Sequence, residues 1–490
     1  MKKILTGILT VGLLTGLAVP AAADWVDTVS YRSVNIVVDG DRIHPKDANG
    51  APVEPFLYRD TTYLPVRSVA NALGLEVGWE DGTVILTGSG SGKAAVGTPL
   101  RSNRDREVYM GGSEVTVTLD GKVLELKDAN GNAISPILVD GVTYLPVRAI
   151  ADALKVSVEW DSSDNTVYLG KRVLWLPTEQ VMDVDGSIDK TTYTYDSRGN
   201  VLTQVYTYNG NNGISFAPET TTFTYDGQDR LIKKTVKSND PEYPADHETT
   251  YAYDGQGNLI KETHTDHLDP SSDYTVVYSH DSRGNVLLRD ESHADGAGNT
   301  VTYTYDAAGR LLTEQGKDKL ETGGSDYSYK YTYDALGNLL TSETVRVYAG
   351  VTERSRYAYT YDAAGNVLSE AYSHTDGDGN TLNSTTLYSY DHRGNKVTET
   401  YVHPDGSQVQ YTHTYDAYNH IVSSTNGQPD SVVRYTYTYT DGGDILSKTA
   451  VYADGYTETE TFTYDAHGNL LTKQTAEGKH FTNQYICVEQ

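Results

Sequence analysis

The strongest constraint on the fold is a short phrase of residue types, Tyr-x-Tyr-Asp-x-x-Gly-Asn, which recurs in eleven copies, several of them with substitutions, from about residue 191 to the C-terminus. Successive copies lie about 24 to 30 residues apart, which is the length of one supersecondary unit. The aspartate accepts hydrogen bonds from the N–H groups of its own turn. The glycine three residues later supplies the left-handed conformation that closes a type I turn with a bulge. Each copy therefore predicts a β-hairpin, and the first strands of the hairpins end at Tyr195, Tyr225, Tyr253, His280, Tyr305, Tyr333, Tyr361, Tyr390, Tyr415, Tyr439 and Tyr464.

The exceptions to the phrase follow the same turn chemistry. Asp229 and Asn419 replace the glycine, and both residue types tolerate a positive φ. Thr440 is the one replacement of the aspartate. Six residues after the aspartate position the side chain is apolar in all eleven copies, as at Leu368. This regularity predicts a buried position on the returning strand.

The paired tyrosines indicate a patterned sheet face. Because side chains alternate along a strand, Tyr359 and Tyr361 share one face while Thr360 takes the other. The chain has 40 tyrosines and 5 phenylalanines, which indicates that the hydroxyl matters. A phenol packs as an apolar ring and keeps a donor and an acceptor for water or a ligand. We therefore predict a tyrosine ladder on a partly wet wall, with the candidate ligand-binding residues Tyr303, Tyr305, Tyr331, Tyr333, Tyr359, Tyr361, Tyr388 and Tyr390.

These phrases resemble the YD repeats of the Rhs family, which occur in bacterial Rhs proteins, insecticidal toxin shells and teneurins. The resemblance covers roughly the last 300 residues. It implies an all-β sheet of stacked hairpins that spirals, and in large members closes into a hollow shell. The large shells carry many more repeats, a core that cuts itself and a variable toxic tip, and no counterpart of these is found in the sequence. We therefore expect an open curved sheet or a partial barrel.

The front part of the chain contains one unit written twice. The string YLPVR at 63–67 returns at 144–148, an offset of 81 that Trp79 and Trp160 also obey. Pro65 suits the start of a helix with an apolar stripe, and alternating runs on either side of the helix read as strands. Each unit is therefore predicted to be an α+β element, a small antiparallel sheet packed on one helix. Lys155 replaces the helix-ending Gly74, so the second helix is expected to end differently.

The two units resemble the copper amine oxidase N-terminal-like domain, also called a stalk domain, over residues 31–87 and 109–170. The resemblance implies a twisted antiparallel sheet that wraps a helix. It does not imply copper, because oxidase chemistry belongs to a separate catalytic domain with three histidine ligands and a tyrosine-derived cofactor. The front part has one histidine, His44, and we expect no cofactor. Arg67 and Arg148, at matching first-turn positions, are either ligand contacts or, as we favour, ion-pair partners of strand carboxylates.

Charge and the N-terminus suggest an exported protein. Residues 1–23 have two lysines, an apolar run and an Ala-Ala-Ala end, which is typical of a cleavable secretory signal. Its removal takes the formal charge from −28 to −30, because Lys2 and Lys3 leave with it. So acidic a surface argues against nucleic acid and anionic membrane partners. No later stretch is long and apolar enough for a membrane span, and the single Cys487 excludes an intramolecular disulfide.

The localisation and domain boundaries follow from these patterns. Export without disulfides suits a secreted or cell-wall-associated protein of a Gram-positive bacterium. The predicted domains are a signal peptide at 1–23, a first stalk unit at 24–88, a Gly/Ser-containing linker at 89–107, a second stalk unit at 108–170, a connector at 171–190 and about eleven repeats at 191–490.

Catalytic and metal sites have little support in the sequence. Neither an HExxH string nor a GxSxG string is present, so we predict a non-enzymatic protein. The string DGDGN offers a weak calcium candidate in Asp376, Asp378 and Asn380, although a turn explains it better. A histidine pair such as His264 and His267 is a weaker metal candidate still.

Two functional hypotheses remain open. The first is a binding protein whose tyrosine-lined sheet contacts polysaccharide or peptidoglycan: rings pack on sugar C–H faces while polar side chains bond to hydroxyls. The glycan binding often proposed for YD repeats points the same way. The alternative is a purely structural stalk or shell, or a reduced Rhs-type toxin-related scaffold, that acts through a protein partner. Exposure of the tyrosine rings distinguishes the two.

Overall fold

The computed structural model describes residues 25–59, 61–88, 103–111, 115–127, 131–162, 165–319 and 325–489. The predicted signal peptide and most of the predicted linker lie outside these ranges. The described chain forms a front module, which ends at Leu169, and a large closed sheet of 24 strands, which we call the ring. The predicted class is confirmed: small α+β units are followed by an antiparallel all-β repeat sheet.

In its described part the front module contains short strands and two helices. The helices are α1 Val66–Ala72 and α2 Val147–Leu154. The strands are β1 Trp25–Arg32, β2 Asn35–Val38, β3 Asp41–Arg42, β4 Phe56–Tyr58, β5 Thr61–Pro65, β6 Glu76–Glu80, β7 Thr83–Thr87, β8 Asn103–Gly111, β9 Thr116–Leu119, β10 Lys122–Val123, β11 Ile137–Val139, β12 Val142–Pro146, β13 Val158–Asp161 and β14 Thr166–Leu169.

The two stalk units share their sheets. β7 of the first unit pairs in parallel with β9 of the second, and β14 of the second pairs in parallel with β2 of the first. A small six-stranded barrel takes β1, β4 and β5 from one unit and β8, β11 and β12 from the other. The expected antiparallel sheet within each unit is therefore wrong in detail: the sheets are interlocked between the units and contain parallel pairs where the units meet. Strand β8 begins inside the predicted linker 89–107, and the predicted domain boundaries stay predictions.

The helices lie in one apolar core that both units supply. Val69 and Ala70 of α1 and Ala151 of α2 are at most 1% exposed in this core. The helix ends are more alike than expected, because Lys155 adopts the left-handed conformation (φ 57°) that Gly74 adopts in the first unit (φ 76°). A lysine at positive φ is tolerable at a single position, at a modest steric cost.

The ring consists of long antiparallel strands joined in chain order. Short 3-10 turns at Pro270–Ser272 and Pro429–Ser431 lie in two of its connections. Its strands are β15 Val173–Val184, β16 Ser187–Tyr195, β17 Val201–Asn209, β18 Ser215–Tyr225, β19 Leu231–Ser238, β20 Ala245–Tyr253, β21 Leu259–Asp266, β22 Tyr274–His280, β23 Val286–His293, β24 Asn299–Tyr305, β25 Leu311–Asp318, β26 Ser325–Tyr333, β27 Leu339–Tyr348, β28 Val351–Tyr361, β29 Val367–Thr375, β30 Thr381–Tyr390, β31 Lys396–Val402, β32 Gln408–Tyr415, β33 Ile421–Thr425, β34 Val433–Tyr439, β35 Ile445–Val451, β36 Thr457–Tyr464, β37 Leu470–Gln474 and β38 His480–Glu489.

The ring closes where β15 meets β38, and we call this junction the seam. The two strands pair antiparallel at ten positions, from Val173 opposite Glu489 to Asp183 opposite His480. The expected open curved sheet or partial barrel is therefore wrong on this point. Closure has a physical reason, because an open sheet of this length would leave two rows of unpaired backbone N–H and C=O groups. Residues 173–184, predicted as part of a connector, supply one side of the seam.

The predicted turn geometry is confirmed. In the copy at 362–366, the N–H of Gly365 donates to the Asp362 carbonyl at 3.1 Å, and Gly365 has φ 83°. Oδ1 of Asp362 accepts the N–H of Asn366 at 2.8 Å, and Oδ2 accepts its side-chain amide at 2.9 Å. The glycine substitutes Asp229 and Asn419 adopt φ 63° and 64°. The phrase therefore specifies its hairpin locally, copy by copy.

The front module is docked on the edge of the ring that carries these turns. Nδ1 of His467, in the last turn, lies 2.6 Å from Oδ1 of Asp41. Trp175 of β15 stacks on the His467 ring with the centroids 4.0 Å apart. His44, which is 2% exposed, stacks on Tyr418 of another turn at 5.7 Å. The module and the ring therefore share a packed, partly aromatic interface.

Candidate functional site: the tyrosine face

The predicted ligand-binding tyrosines lie on strands β24, β26, β28 and β30 of the ring, two in each strand. All eight are half-buried, so they belong neither to a closed core nor to a fully open surface. Burial is the largest cause of a raised pKa at each of them, and it raises the pKa of Tyr359 to about 12. We call the sheet face that carries them the tyrosine face. Ligand binding by these residues stays a prediction.

The second tyrosine of a phrase ties its hairpin to the preceding one. The hydroxyl of Tyr361 donates to the backbone carbonyl of Leu339, which opens the returning strand of the previous copy, at 2.6 Å. Equivalent bonds of 2.6–3.0 Å to a backbone carbonyl occur at Tyr195, Tyr253, Tyr305, Tyr333, Tyr390, Tyr415 and Tyr464. The predicted ladder is thus a ladder of hydroxyl-to-carbonyl hydrogen bonds. A phenylalanine cannot make this bond, which accounts for tyrosine at these eight positions.

The first tyrosine of a phrase has a different environment. Tyr303 lies directly across from Glu314 on the next strand, and Tyr359 lies across from Glu370. These carboxylates add to the effect of burial in raising the pKa of the two phenols. Among the described residues, the hydroxyl of Tyr359 makes no hydrogen bond. Tyr303 and Tyr331 likewise make no hydroxyl bond among the described residues, so these three first tyrosines keep a hydroxyl for an outside partner.

The position six residues after the turn aspartate is not buried as expected. Tyr361 pairs with Val367 and Thr360 with Ser369, so Leu368 is the extra residue of a bulge. Its side chain is 39% exposed. The bulge breaks the simple alternation of side chains on which the expectation rested. Comparable exposure, 36–39%, occurs at Leu202, Ile260, Leu287, Leu340 and Leu446.

The two tyrosines of one phrase are expected to respond differently to loss of the hydroxyl. Tyr361→Phe removes a partly buried hydrogen bond and leaves the Leu339 carbonyl without that donor, so the free energy of unfolding should fall by about 0.5–1.5 kcal/mol. Tyr359→Phe removes a hydroxyl that has no such bond and serves as the control. Urea unfolding of the two variants measures the difference. A loss at Tyr359→Phe equal to that at Tyr361→Phe would contradict the ladder.

The Asp376 carboxylate of the weak calcium candidate accepts hydrogen bonds from its own turn. Oδ1 of Asp376 accepts the N–H groups of Asp378 and Asn380 at 3.0 and 2.8 Å, and Oδ2 accepts the Asn380 amide at 3.0 Å. These bonds are the ones that the repeat turns make. The turn therefore accounts for the string DGDGN.

His264 and His267, the histidine pair considered as a metal candidate, bond to different partners. Nδ1 of His264 bonds to the Thr249 hydroxyl at 3.1 Å, whereas Nδ1 of His267 lies 3.1 Å from Oδ1 of Asp246. Burial lowers the pKa of His264, and the neighbouring His247 lowers it further. In the described ranges no three histidine, cysteine or acidic side chains form a metal-binding group.

Arg67 and Arg148, the two arginines at matching positions of the front module, have different surroundings. Nη1 of Arg67 donates to the Val77 carbonyl at 3.3 Å, and the side chain is half-buried, whereas Arg148 is exposed. The favoured ion pair with a strand carboxylate is found for neither arginine among the described residues. The difference follows from their surroundings, because Arg67 lies at a cavity between the two units.

Comparison with known families supports the resemblance of the front part. The profile described as copper amine oxidase N-terminal domain matches residues 47–169 and 125–186. These ranges cover most of the front module and reach only into the beginning of the ring. The Rhs-type assignment of the later repeats stays a prediction. No curated protein matches the chain.

The solved structures to which this chain is similar include three that contain TccC3. TcdB2-TccC3 without its hypervariable C-terminal region is 14% identical, with a TM-score of 0.34, over 90% of this chain and 24% of that chain. TcdB2-TccC3-TEV is 13% identical, with a TM-score of 0.29, over 79% and 26%. A Photorhabdus luminescens Tc holotoxin pore with a TccC3 mutation is 14% identical, with a TM-score of 0.20, over 94% and 25%. The chain therefore spans about a quarter of each of these chains, and such distant likeness transfers no function.

Membrane crossing by a helix finds no support in the described part of the chain. None of its helices combines the length and the hydropathy that a bilayer span requires.

Proposed function

We propose that this chain is an exported, non-enzymatic structural scaffold, a closed ring of YD-type hairpins with a stalk module docked on its turn edge, and that it acts through a protein partner. The observation that carries this proposal is the hydroxyl ladder. The second tyrosines, which looked like ligand contacts, bond to the neighbouring repeat instead. These tyrosines stabilise the contact between neighbouring repeats, and stable contacts of this kind are what a structural scaffold needs.

The closed seam supports the same function. A sheet that pairs its first strand with its last along ten positions has no exposed edge for adding a peptide strand. The docked module fixes a second body on one rim through Asp41, His467 and Trp175. A partner would therefore meet a preformed surface, which lowers the entropic cost of binding.

Polysaccharide contact is the second candidate, and the first tyrosines favour it. Tyr303, Tyr331 and Tyr359 are half-exposed rings whose hydroxyls make no hydrogen bond among the described residues. A row of such rings offers stacking surfaces and hydroxyl groups to a sugar chain. This interpretation needs only these members of the tyrosine face.

One experiment separates the two functions. The mature chain is cosedimented with insoluble peptidoglycan and with insoluble polysaccharides, beside a variant that carries Tyr303→Ala, Tyr331→Ala and Tyr359→Ala. The scaffold function predicts no retention of either protein. Retention of the wild type that the triple variant loses would establish the polysaccharide function instead.

The scaffold function also needs a positive result. Cross-linking of the mature chain on its own cell surface should recover the same protein partner repeatedly. A chain that lacks residues 480–490, and therefore the seam, is the matched control and should lose that partner. Recovery of the partner by the opened chain would show that the closed ring is not the binding surface.

A further inference from the structure

A cavity of about 390 Å³ lies at the boundary between the two stalk units. Its volume falls within the range of small-molecule sites. The start of α1, strand β6 and the β11–β12 hairpin of the other unit form its walls. The residues that matter for its chemistry are Arg67, Val77, Trp79, Val84, Leu138 and Val142.

Trp79 supplies a flat apolar wall. Its side chain is 51% exposed, although an indole is among the largest apolar groups that a fold can bury. Val77, on the same side of strand β6, packs against the core of the module and holds the strand in place. The exposed indole therefore offers a flat apolar surface at the wall of the cavity, suited to the C–H face of a ring-shaped ligand.

Arg67 supplies a charge that nothing in the described chain neutralises. It is half-buried, it donates to the Val77 carbonyl, and it forms no ion pair with a described carboxylate. Such pairing is the rule for charged groups near a core. In a chain with a formal charge of −28, acidic partners are abundant, so a guanidinium left without one is informative.

Two further charged side chains line the cavity, Lys46 and Asp47, and each has a hydrogen-bond partner elsewhere. Oδ1 of Asp47 accepts the N–H groups of Asn49 and Ala51, both at 2.8 Å. The Nζ of Lys46 donates to the Asp441 carbonyl of the ring. Arg67 uses one of its five N–H groups on the Val77 carbonyl, and its planar guanidinium is the group on this wall that can bind a carboxylate through two parallel hydrogen bonds.

The second unit provides a natural contrast. Trp160 occupies the position of Trp79 and is 44% exposed; Glu159 and Asp161 flank it, whereas Gly78 and Glu80 flank Trp79. Arg172 pairs with both of these carboxylates, with Nη2 2.9 Å from Asp161 and Nη1 3.4 Å from Glu159. The carboxylates beside the indole of the second unit are therefore paired with an arginine, whereas Arg67 beside the indole of the first unit has no carboxylate partner among the described residues.

We infer that the cavity binds a saccharide ring that carries a carboxylate, of the uronic-acid type. The sugar packs its C–H face on Trp79, and its carboxylate accepts hydrogen bonds from Arg67. This site lies in the stalk module, separate from the tyrosine face, and it adds a ligand-binding activity to the proposed scaffold. The site would recognise this ligand by two properties, the negative charge of its carboxylate and the flat C–H face of its sugar ring.

Calorimetric titration of the full mature chain with oligogalacturonate tests the site, and the fully methyl-esterified oligomer is the uncharged probe. Arg67→Gln and Trp79→Ala are each expected to weaken binding by about tenfold or more, because each removes one of the two contacts. Arg148→Gln and Trp160→Ala are the matched controls and should bind as the wild type does. Arg67→Lys, which keeps the charge and loses the planar fork, should fall between wild type and Arg67→Gln.

Three results would overturn the inference. The first is the absence of binding by the wild-type chain, and the second is equal binding of the methyl ester. The third is an equal loss in the Arg148→Gln control. Near-ultraviolet circular dichroism of each variant shows whether the module is folded, and Arg67→Lys decides the case if Arg67→Gln does not fold. Failure of the scaffold proposal would leave these results unchanged, since they concern the stalk module alone.

Discussion

A disulfide placed across the seam is expected to form spontaneously and to stabilise the ring by about 2–5 kcal/mol, because it closes a loop of roughly 300 residues in the unfolded chain. Val181 and Thr482 face each other in the pairing of β15 with β38. Opposed residues of an antiparallel pair lie about 4.5–5.5 Å apart at Cα, which suits a disulfide. The variant Val181→Cys/Thr482→Cys, in a Cys487→Ser background, should therefore oxidise in air and shift the urea midpoint upward.

The control for the seam moves one cysteine to another strand. Thr463 lies on β36, three strand positions from β15 around the ring, which is about 14 Å. The pair Val181→Cys/Thr463→Cys should remain reduced under the same conditions. Equal oxidation of both pairs, or none at Val181→Cys/Thr482→Cys, would contradict a closed ring with this register.

Alkaline pH is expected to open the ring. Burial raises the pKa of Tyr327, Tyr359, Tyr437 and Tyr464 to about 12, above the value of about 10 for an unfolded tyrosine. A raised pKa in the folded state means that the neutral phenol stabilises the fold. This stabilisation is complete below pH about 10 and is lost as the pH rises through about 12.

Spectrophotometric titration of phenolate, recorded together with far-ultraviolet circular dichroism, measures this transition. We expect a delayed, steep ionisation that coincides with loss of the β signal, because burial in the folded sheet disfavours the charged phenolate. The chain unfolded in guanidinium chloride is the reference and should titrate near pH 10. A folded chain that titrates like this reference and keeps its β signal would contradict the structural role of the tyrosines.

The hairpins were predictable because their chemistry is local. Asp362 and Gly365 interact within five residues of chain, and the same contacts recur wherever the phrase recurs. Leu368 was misjudged because alternation fails at a bulge, although the bulge itself was foreseen from the turn type. The excess of tyrosine over phenylalanine signalled a role for the hydroxyl, but its acceptor, such as the Leu339 carbonyl, lies 22 residues away.

Closure and sheet sharing could not be predicted from the sequence. The pairing of Val181 with Thr482 depends on the twist and curvature accumulated over all the intervening strands, and no local pattern records that sum. The sharing of sheets between the two stalk units could not be predicted for a different reason. The two stalk units are near copies, so the pattern of β7 fits a partner in its own unit as well as β9 of the other. The cavity at Arg67 depends on this exchange, and it too became visible only in the structure.

The seam also determines when the nascent chain becomes safe from self-association. β15 is the first ring strand to leave the ribosome or the export channel, and β38 is the last. Until β38 arrives, β15 offers a bare edge of twelve residues to any other strand, including a neighbouring copy of the same chain. Every repeat added before that moment lengthens the sheet without removing this hazard. Protection against aggregation therefore comes from the final ten-residue strand, and truncated chains are expected to be the aggregating species.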